Sequence, residues 1–141
     1  MAFELDSFLP YRLSVAAARV SRRFARLYAE AGLSSPEWRV LAHLAQAGTV
    51  SVRDIHARVD MDKSKVSRAA ARLEEAGLVQ KLGNAGDRRL VALSLTPAGE
   101  ALMARLGEIA AAFQQQLLAE LGPDAAGLEA GLGRLLEGGT G

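Results

Sequence analysis

Apolar residues recur at intervals of three and four along most of the chain, which is the spacing of amphipathic α-helices. The first such stretch runs from Phe8 to Ala31 and is followed by Gly32, a residue type that commonly ends helices. A second stretch begins at Ser35, which can serve as the N-cap, and Pro36, which fits the first helical position. The pattern therefore predicts two helices in this part of the chain, separated by a short turn.

Two shorter helices are predicted next, in close succession. Ser51 is expected to cap the first of them, because Asp54 follows three positions later. Asp62 is expected to cap the second, which extends over residues 63–76, and Asp60-Met61 forms the turn between them. Two helices joined by a tight turn indicate a helix-turn-helix motif.

The hydrophobic period changes to two over residues 90–95, which is typical of a β-strand. Together with the apolar residues 78–82 and the Gly-Asn-Ala-Gly turn between the two segments, this predicts a β-hairpin with a charged tip, Asp87-Arg88-Arg89. Thr96-Pro97 then begins a long helix, and a last helix follows Gly122-Pro123-Asp124. The order of elements predicts a mainly α-helical protein with a small β-hairpin, that is, a winged helix-turn-helix.

The charge of the chain is unevenly distributed, although the net charge is only +1. Residues 51–95 contain nine basic and six acidic residues, a net charge of +3, whereas residues 96–141 contain two basic and six acidic residues, a net charge of −4. A basic segment that coincides with a helix-turn-helix indicates a polyanionic partner.

Composition and missing motifs exclude several classes of function. The 141 residues include no cysteine, which excludes disulfides, thiolate zinc sites and thiol-based redox sensing within the chain. The chain has two histidines, no Walker loop and no nucleophile–base motif, so we expect no enzymatic activity, no metal and no cofactor. No apolar run approaches the length of a membrane span, and we expect a cytoplasmic protein that does not contact membranes.

The helix that follows Asp62 is the candidate for DNA recognition. Ser64, Ser67 and Arg68 share one face of it by their spacing of three and four, and cations flank that face. An α-helix fits the major groove of B-DNA, and small hydroxyl groups among cations allow a close approach to base edges. The competing interpretation is a solvated amphipathic helix. The candidate DNA-binding residues are Ser51, Lys63, Ser64, Lys65, Ser67, Arg68, Arg72, Arg88 and Arg89.

The arginines of the hairpin are a second candidate contact with DNA. Arg88 and Arg89 can enter a narrow minor groove or bind phosphates, whereas Asp87 is expected to orient one of the arginines. The competing interpretation is an exposed hairpin whose charges serve solubility.

Residues 51–100 resemble the central signature of the MarR family of transcriptional regulators. The matching segments are DKSKVSR and LEEAGLV in and after the recognition helix, DRR in the hairpin and LSLTPAGE at the start of the long helix; WRVLAHL in the second helix is also similar. Two positions depart from the family pattern. Asp60 in the predicted turn stands where the family commonly has a glycine, and His56 in the helix before it stands where the family usually has a small residue.

The resemblance implies one domain over residues 1–141, in which residues 33–96 form the DNA-binding part and residues 1–32 and 97–141 form dimerisation helices. It implies a homodimer that binds a pseudo-palindromic operator in double-stranded DNA and represses transcription until a small, anionic or aromatic effector releases it. The alternative is a winged-helix module that binds protein and has no specific DNA affinity.

An arginine-rich face of the first helix is open to two interpretations. Arg12, Arg19, Arg23 and Arg26 share this face by their spacing of seven, four and three. In the first interpretation, the arginines pair with acidic residues of the C-terminal helices across a dimer. In the second, they form part of a binding site for an anionic effector. For the second interpretation the candidate effector-binding residues are Arg12, Arg19, Arg23 and His43.

Overall fold

A computed structural model describes residues 2–59, 61–84 and 87–137, except for the side chains of residues 52, 84 and 87–90. Within these residues the α-helices are α1 (Leu9–Ala29), α2 (Ser35–Ala47), α3 (Val52–Arg58), α4 (Lys63–Glu75), α5 (Pro97–Leu121) and α6 (Ala125–Glu137). The strands β1 (Val50–Ser51), β2 (Val79–Asn84) and β3 (Asp87–Leu95) form an antiparallel sheet in the order β1-β3-β2. Short 3₁₀ helices lie at Leu5–Ser7 and Gly122–Asp124. The predicted mainly α-helical winged helix-turn-helix is confirmed.

Three helices begin where the sequence predicts them, because each starts with a side chain that accepts a hydrogen bond from a backbone N–H three positions later. Ser51 accepts such a bond at 3.1 Å at the start of α3, and Asp62 accepts one at 2.9 Å at the start of α4. Thr96 accepts one at 3.1 Å at the start of α5. These bonds satisfy backbone donors that have no partner within the helix.

The N-cap of α2 is Ser34, so the prediction of Ser35 in this role is wrong. The Ser34 hydroxyl accepts from the backbone N–H of Glu37 at 3.4 Å, and the Glu37 carboxylate accepts from the backbone N–H of Ser34 at 3.3 Å and from its hydroxyl at 2.8 Å. This reciprocal arrangement is a capping box. Ser34 is favoured because only this serine has a glutamate three positions later.

The sheet is larger than the predicted hairpin. Its third strand is β1, in which Val50 lies opposite Leu93 of β3. The strand β3 begins at Asp87, which lies opposite Asn84, so the backbone of the predicted charged tip belongs to a strand and not to the turn. Asp60 and residues 85–86 of the predicted turns lie outside the described residues.

The chain divides into two compact units, residues 1–106 and residues 107–141. The core of the first unit is formed by α2, α3, α4, the sheet, the end of α1 and the start of α5, with Leu41, Ile55, Leu73 and Leu93 almost completely buried. Tyr28 belongs to this core, and Trp38 stacks on it with ring centroids 5.7 Å apart. This core holds α4 on one side and leaves its other side open to solvent. In the second unit, the leucines of α6 are exposed.

Gly99 in the first turn of α5 is expected to be essential for stability. A Cβ atom at this position would overlap the backbone oxygen of Leu78 and lie 3.3 Å from the side chain of Leu95. Gly99→Ala should therefore lower the free energy of unfolding by about 1–3 kcal/mol, measured by urea denaturation. The control is Gly107→Ala in the same helix, where a Cβ atom meets nothing within 4 Å. This control should raise stability by about 0.5–1 kcal/mol, and equal effects of the two substitutions would contradict the prediction.

Candidate nucleic-acid interface

The helix α4 presents its predicted DNA-binding residues on the side away from the core. Its inner side consists of Val66, Ala69, Ala70 and Leu73, which are buried. The residues of this helix that are predicted to bind DNA are all exposed: Lys63, Ser64, Lys65, Ser67, Arg68 and Arg72. The structure therefore brings six of the nine candidate DNA-binding residues onto one helix whose position is fixed by the core.

The start of α4 is held by Asp62. The backbone N–H of Lys65 and the hydroxyl of Ser64 both donate to Asp62 Oδ1, at 2.9 Å each. These hydrogen bonds, together with the positive charges of Lys65 and Arg68, hold the pKa of Asp62 below its ordinary value. Because the Ser64 hydroxyl donates to Asp62, its oxygen remains available as an acceptor for a donor from outside the protein.

Ser51 lies apart from α4, at the junction of β1 and α3. Its hydroxyl caps α3, and the side chain is half-buried. The cap gives Ser51 a structural role that is independent of DNA, and its contact with DNA stays a prediction. Arg88 and Arg89 belong to β3 by their backbone, and their side chains, like that of Asp87, lie outside the described part of the structure.

A small depression lies between α4 and the start of α2. It has a volume of about 210 Å³ and is lined by Lys65, Arg68, Ala69 and Arg72 of α4, by Pro36 of α2 and by Ser34, the N-cap of α2. The three cations are exposed, and none of them forms an ion pair with an acidic side chain that the structure describes. The depression is therefore a part of the surface where three positively charged side chains lie close together.

The candidate effector-binding residues fall in two places within the first unit. Arg12 and Arg19 line a groove of about 460 Å³ along α1, together with Tyr11, Asp6 and the apolar residues Val15, Ala16 and Val20. This groove combines cations with apolar surface, which suits a small molecule that carries a carboxylate. Arg23 is half-buried on the same helix and does not line the groove.

His43 lines a separate depression of about 330 Å³, with Trp38, Arg39, Ala42, Gln46 and Val59. The guanidinium of Arg58 donates to His43 Nε2 at 3.1 Å, which links α2 to α3. Sequence reasoning missed Arg39, although its position four residues before His43 places both on one side of α2. The other histidine, His56, is half-buried on α3.

The described residues contain no group of three or more His, Asp or Glu side chains that could hold a metal ion. Among the helices of the same residues, none is long and apolar enough to cross a membrane.

Residues 31–90 match the sequence model of the MarR family. The HTH-type transcriptional regulator FarR from Neisseria gonorrhoeae is 33% identical over 86 residues, which cover 61% of this chain and 59% of FarR. The alignments with four curated relatives span between 44% and 64% of the length of those relatives. Two of these four proteins are named as repressors.

Solved structures resemble the chain over nearly its whole length. A MarR family regulator from Silicibacter pomeroyi DSS-3 superposes with a TM-score of 0.85 at 28% identity, covering 96% of this chain and 98% of that chain. NadR, solved in complex with 4-hydroxyphenylacetate, superposes with a TM-score of 0.77 at 26% identity, covering 96% of each chain.

The fold and the exposed face of α4 define a winged helix-turn-helix protein. The match of residues 31–90 and the similarity to solved MarR family regulators over nearly the whole chain confirm the predicted resemblance to the MarR family. This is a family of transcriptional regulators and not of enzymes.

Proposed function

We propose that the protein is a homodimeric repressor of transcription that binds a pseudo-palindromic operator in double-stranded DNA. The observation that carries the proposal is the solvent-facing side of α4, where four cations and two serines project from a helix with a buried opposite side. A helix of this kind fits the major groove, and its N-terminal residues reach base edges. The proposal implies a cytoplasmic location, because the chromosome of a bacterium lies in the cytoplasm.

The dimer is supported by exposed apolar residues near both ends of the described chain. Phe3 and Leu9 are 71% and 65% exposed, and Leu135 and Leu136 are 61% and 78% exposed. Apolar groups of this size gain about 1.5–3 kcal/mol each when they are fully buried. We therefore propose that residues 1–32 and 97–141 form the dimer, with one α4 for each half-site, and that the half-sites lie about 34 Å apart.

The proposal is tested by fluorescence anisotropy with the DNA upstream of the protein's own gene and with a random duplex of equal length. We expect the upstream DNA to bind at least about 10³-fold more tightly. Weak, equal binding to both duplexes would favour the alternative function, a winged-helix module that binds protein.

We further propose that a small aromatic carboxylate releases the repressor from DNA. The support comes from the groove with Arg12, Arg19 and Tyr11, from the depression with His43, and from NadR, which binds a phenolic carboxylate. Cations recognise carboxylates by charge-assisted hydrogen bonds, and the neighbouring apolar and aromatic surface suits a ring.

The effector proposal predicts that 4-hydroxyphenylacetate binds the protein and lowers its affinity for DNA, whereas the uncharged amide of the same compound does not. Arg12→Gln and Arg19→Gln should each weaken binding of the carboxylate about tenfold in calorimetry, because each removes a charge-assisted hydrogen bond. Arg22→Gln, an exposed position of α1 that does not line the groove, is the matched control. His43→Gln measures the contribution of the second depression. Equal binding of acid and amide would exclude a site built on cations.

A further inference from the structure

We propose that α4 contacts DNA with two separate stripes that have different tasks. The cationic stripe, Lys65, Arg68 and Arg72, binds a backbone phosphate in the depression beside the start of α2. The serine stripe, Ser64 and Ser67 with Ala71, faces base edges. The inference rests on the proposed DNA binding and adds to it which residues fix the position of the helix and which discriminate between sequences.

The two stripes follow from the spacing of the residues along α4. Each stripe contains residues separated by three and then four positions, which places its members on one line along the helix. The cationic stripe starts one residue after the serine stripe, so the two lines are about 100° apart around the helix axis. When the serine stripe faces the floor of the groove, the cationic stripe faces its wall, where the phosphates lie.

The second wall of the depression identifies the part of the DNA that can reach it. Ser34 and Pro36 belong to α2, a different helix from the one that enters the groove. A base edge deep in the major groove cannot enter a space that α2 closes on one side, whereas a phosphate on the rim of the groove can. The volume of about 210 Å³ is also below the range of about 300–1,000 Å³ that is usual for sites of larger organic ligands.

The formal charge at the depression comes from the side chains of α4, and the start of α2 uses part of its backbone donors within its own cap. The capping box uses the Ser34 and Glu37 backbone N–H groups, and Pro36 has none. The carboxylate of Glu37 is buried and accepts from Ser34, so its hydrogen bonds are made within the cap. Lys65 and Arg68 also interact with the Asp62 carboxylate at the start of α4, and a phosphate in the depression would be attracted by these two cations and by Arg72.

The inference assigns Arg68 to the DNA backbone and not to base recognition. Because Arg68 also lies beside Ser64 and Ser67, the competing role is a bidentate hydrogen bond from its guanidinium to a guanine. The structure groups it instead with Lys65 and Arg72 around the depression. A phosphate contact needs the positive charge, whereas a bidentate contact with a base also needs the planar fork of arginine.

The test uses an operator selected by the wild-type protein from random duplexes, and a random duplex of equal length. Arg68→Gln/Arg72→Gln should weaken binding to both duplexes by the same factor. It should also make the dependence of log affinity on log salt shallower by about two units per dimer, one for each phosphate that is lost. Arg68→Lys/Arg72→Lys should keep the wild-type salt dependence, because the charge remains. Ser67→Ala should reduce the preference for the operator without changing the salt dependence.

The matched control is Lys81→Gln, which removes an exposed cation that pairs with Glu74 at 3.5 Å and lies on β2. It should change neither quantity. A double glutamine variant that loses the preference for the operator at an unchanged salt dependence would overturn the inference, as would a lysine variant that behaves like the glutamine variant. If the wild-type protein binds neither duplex, the proposed DNA binding itself is wrong. This failure is distinguished from a failure of the inference, because it is seen with the wild-type protein alone.

Discussion

Removal of residues 122–141 is expected to convert the protein into a monomer and to lower its affinity for an operator by about 10²–10⁴-fold. The helix α6 contains three glycines within 13 residues, which makes it intrinsically unstable, so it depends on packing. Its leucines Leu128, Leu132, Leu135 and Leu136 are all at least 40% exposed in the single chain. A second copy of the chain can bury these leucines, and the truncation removes them.

The loss of DNA affinity follows from the loss of the second half-site. A dimer that has bound one half-site holds its other recognition helix near the second half-site at a high effective concentration, which accounts for the expected factor. Sedimentation measures the oligomeric state and anisotropy measures the affinity on the same samples. Leu132→Asp/Leu136→Asp should reproduce both losses without truncation, whereas Glu129→Gln on the same helix should reproduce neither. A full-length protein that sediments as a monomer at micromolar concentration would contradict the prediction.

Arg88→Ala/Arg89→Ala is expected to have the second large effect, a shallower dependence of DNA affinity on salt. Each phosphate that a cation neutralises contributes about −0.9 to the slope of log affinity against log salt. The double variant removes up to four cations from a dimer, so the slope should change by roughly two to four units if most of these cations contact phosphates. Binding to random DNA should weaken in parallel, and thermal melting should change little, because exposed charges contribute little to stability.

Asp87→Ala shows whether this aspartate has a part in DNA binding. If Asp87 orients an arginine, its removal weakens binding although a negative charge is lost. If it has no such part, its removal strengthens binding slightly, because the net charge of the hairpin becomes more positive. An unchanged slope for the double arginine variant would mean that the hairpin does not contact DNA.

The elements that could be predicted from the sequence are those whose signals are local. Ser51, Asp62 and Thr96 each cap a helix through a backbone group three positions away, so a short window of sequence is enough to find them. The same rule, applied to Ser34 and Glu37, identifies the start of α2; Pro36 alone places it one residue too late.

The parts that could not be predicted depend on contacts between distant segments. The strand β1 has two residues, too few for a period of two to appear, and it exists because Val50 meets Leu93 of β3. Arg12 and His43 are both candidate effector-binding residues by sequence, but they line different spaces on different helices. The depression beside α4 cannot be predicted from the sequence either, because its second wall comes from Ser34 and Pro36 of α2, a segment about 30 residues away along the chain.

The hydrogen bonds of Thr96 have a consequence for how such a protein can evolve. The Thr96 hydroxyl donates to the backbone oxygen of Gly77 at 2.6 Å, and its backbone N–H donates to the oxygen of Leu78 at 3.1 Å. The two ends of the β2–β3 hairpin are therefore hydrogen-bonded to each other, so the end of α4 and the start of α5 lie close together whatever the length of the hairpin between them. Insertions and deletions at its far end leave both helices in place. Descendants of one ancestor can thus acquire hairpins of different length and sequence while the end of α4 and the start of α5 keep their positions.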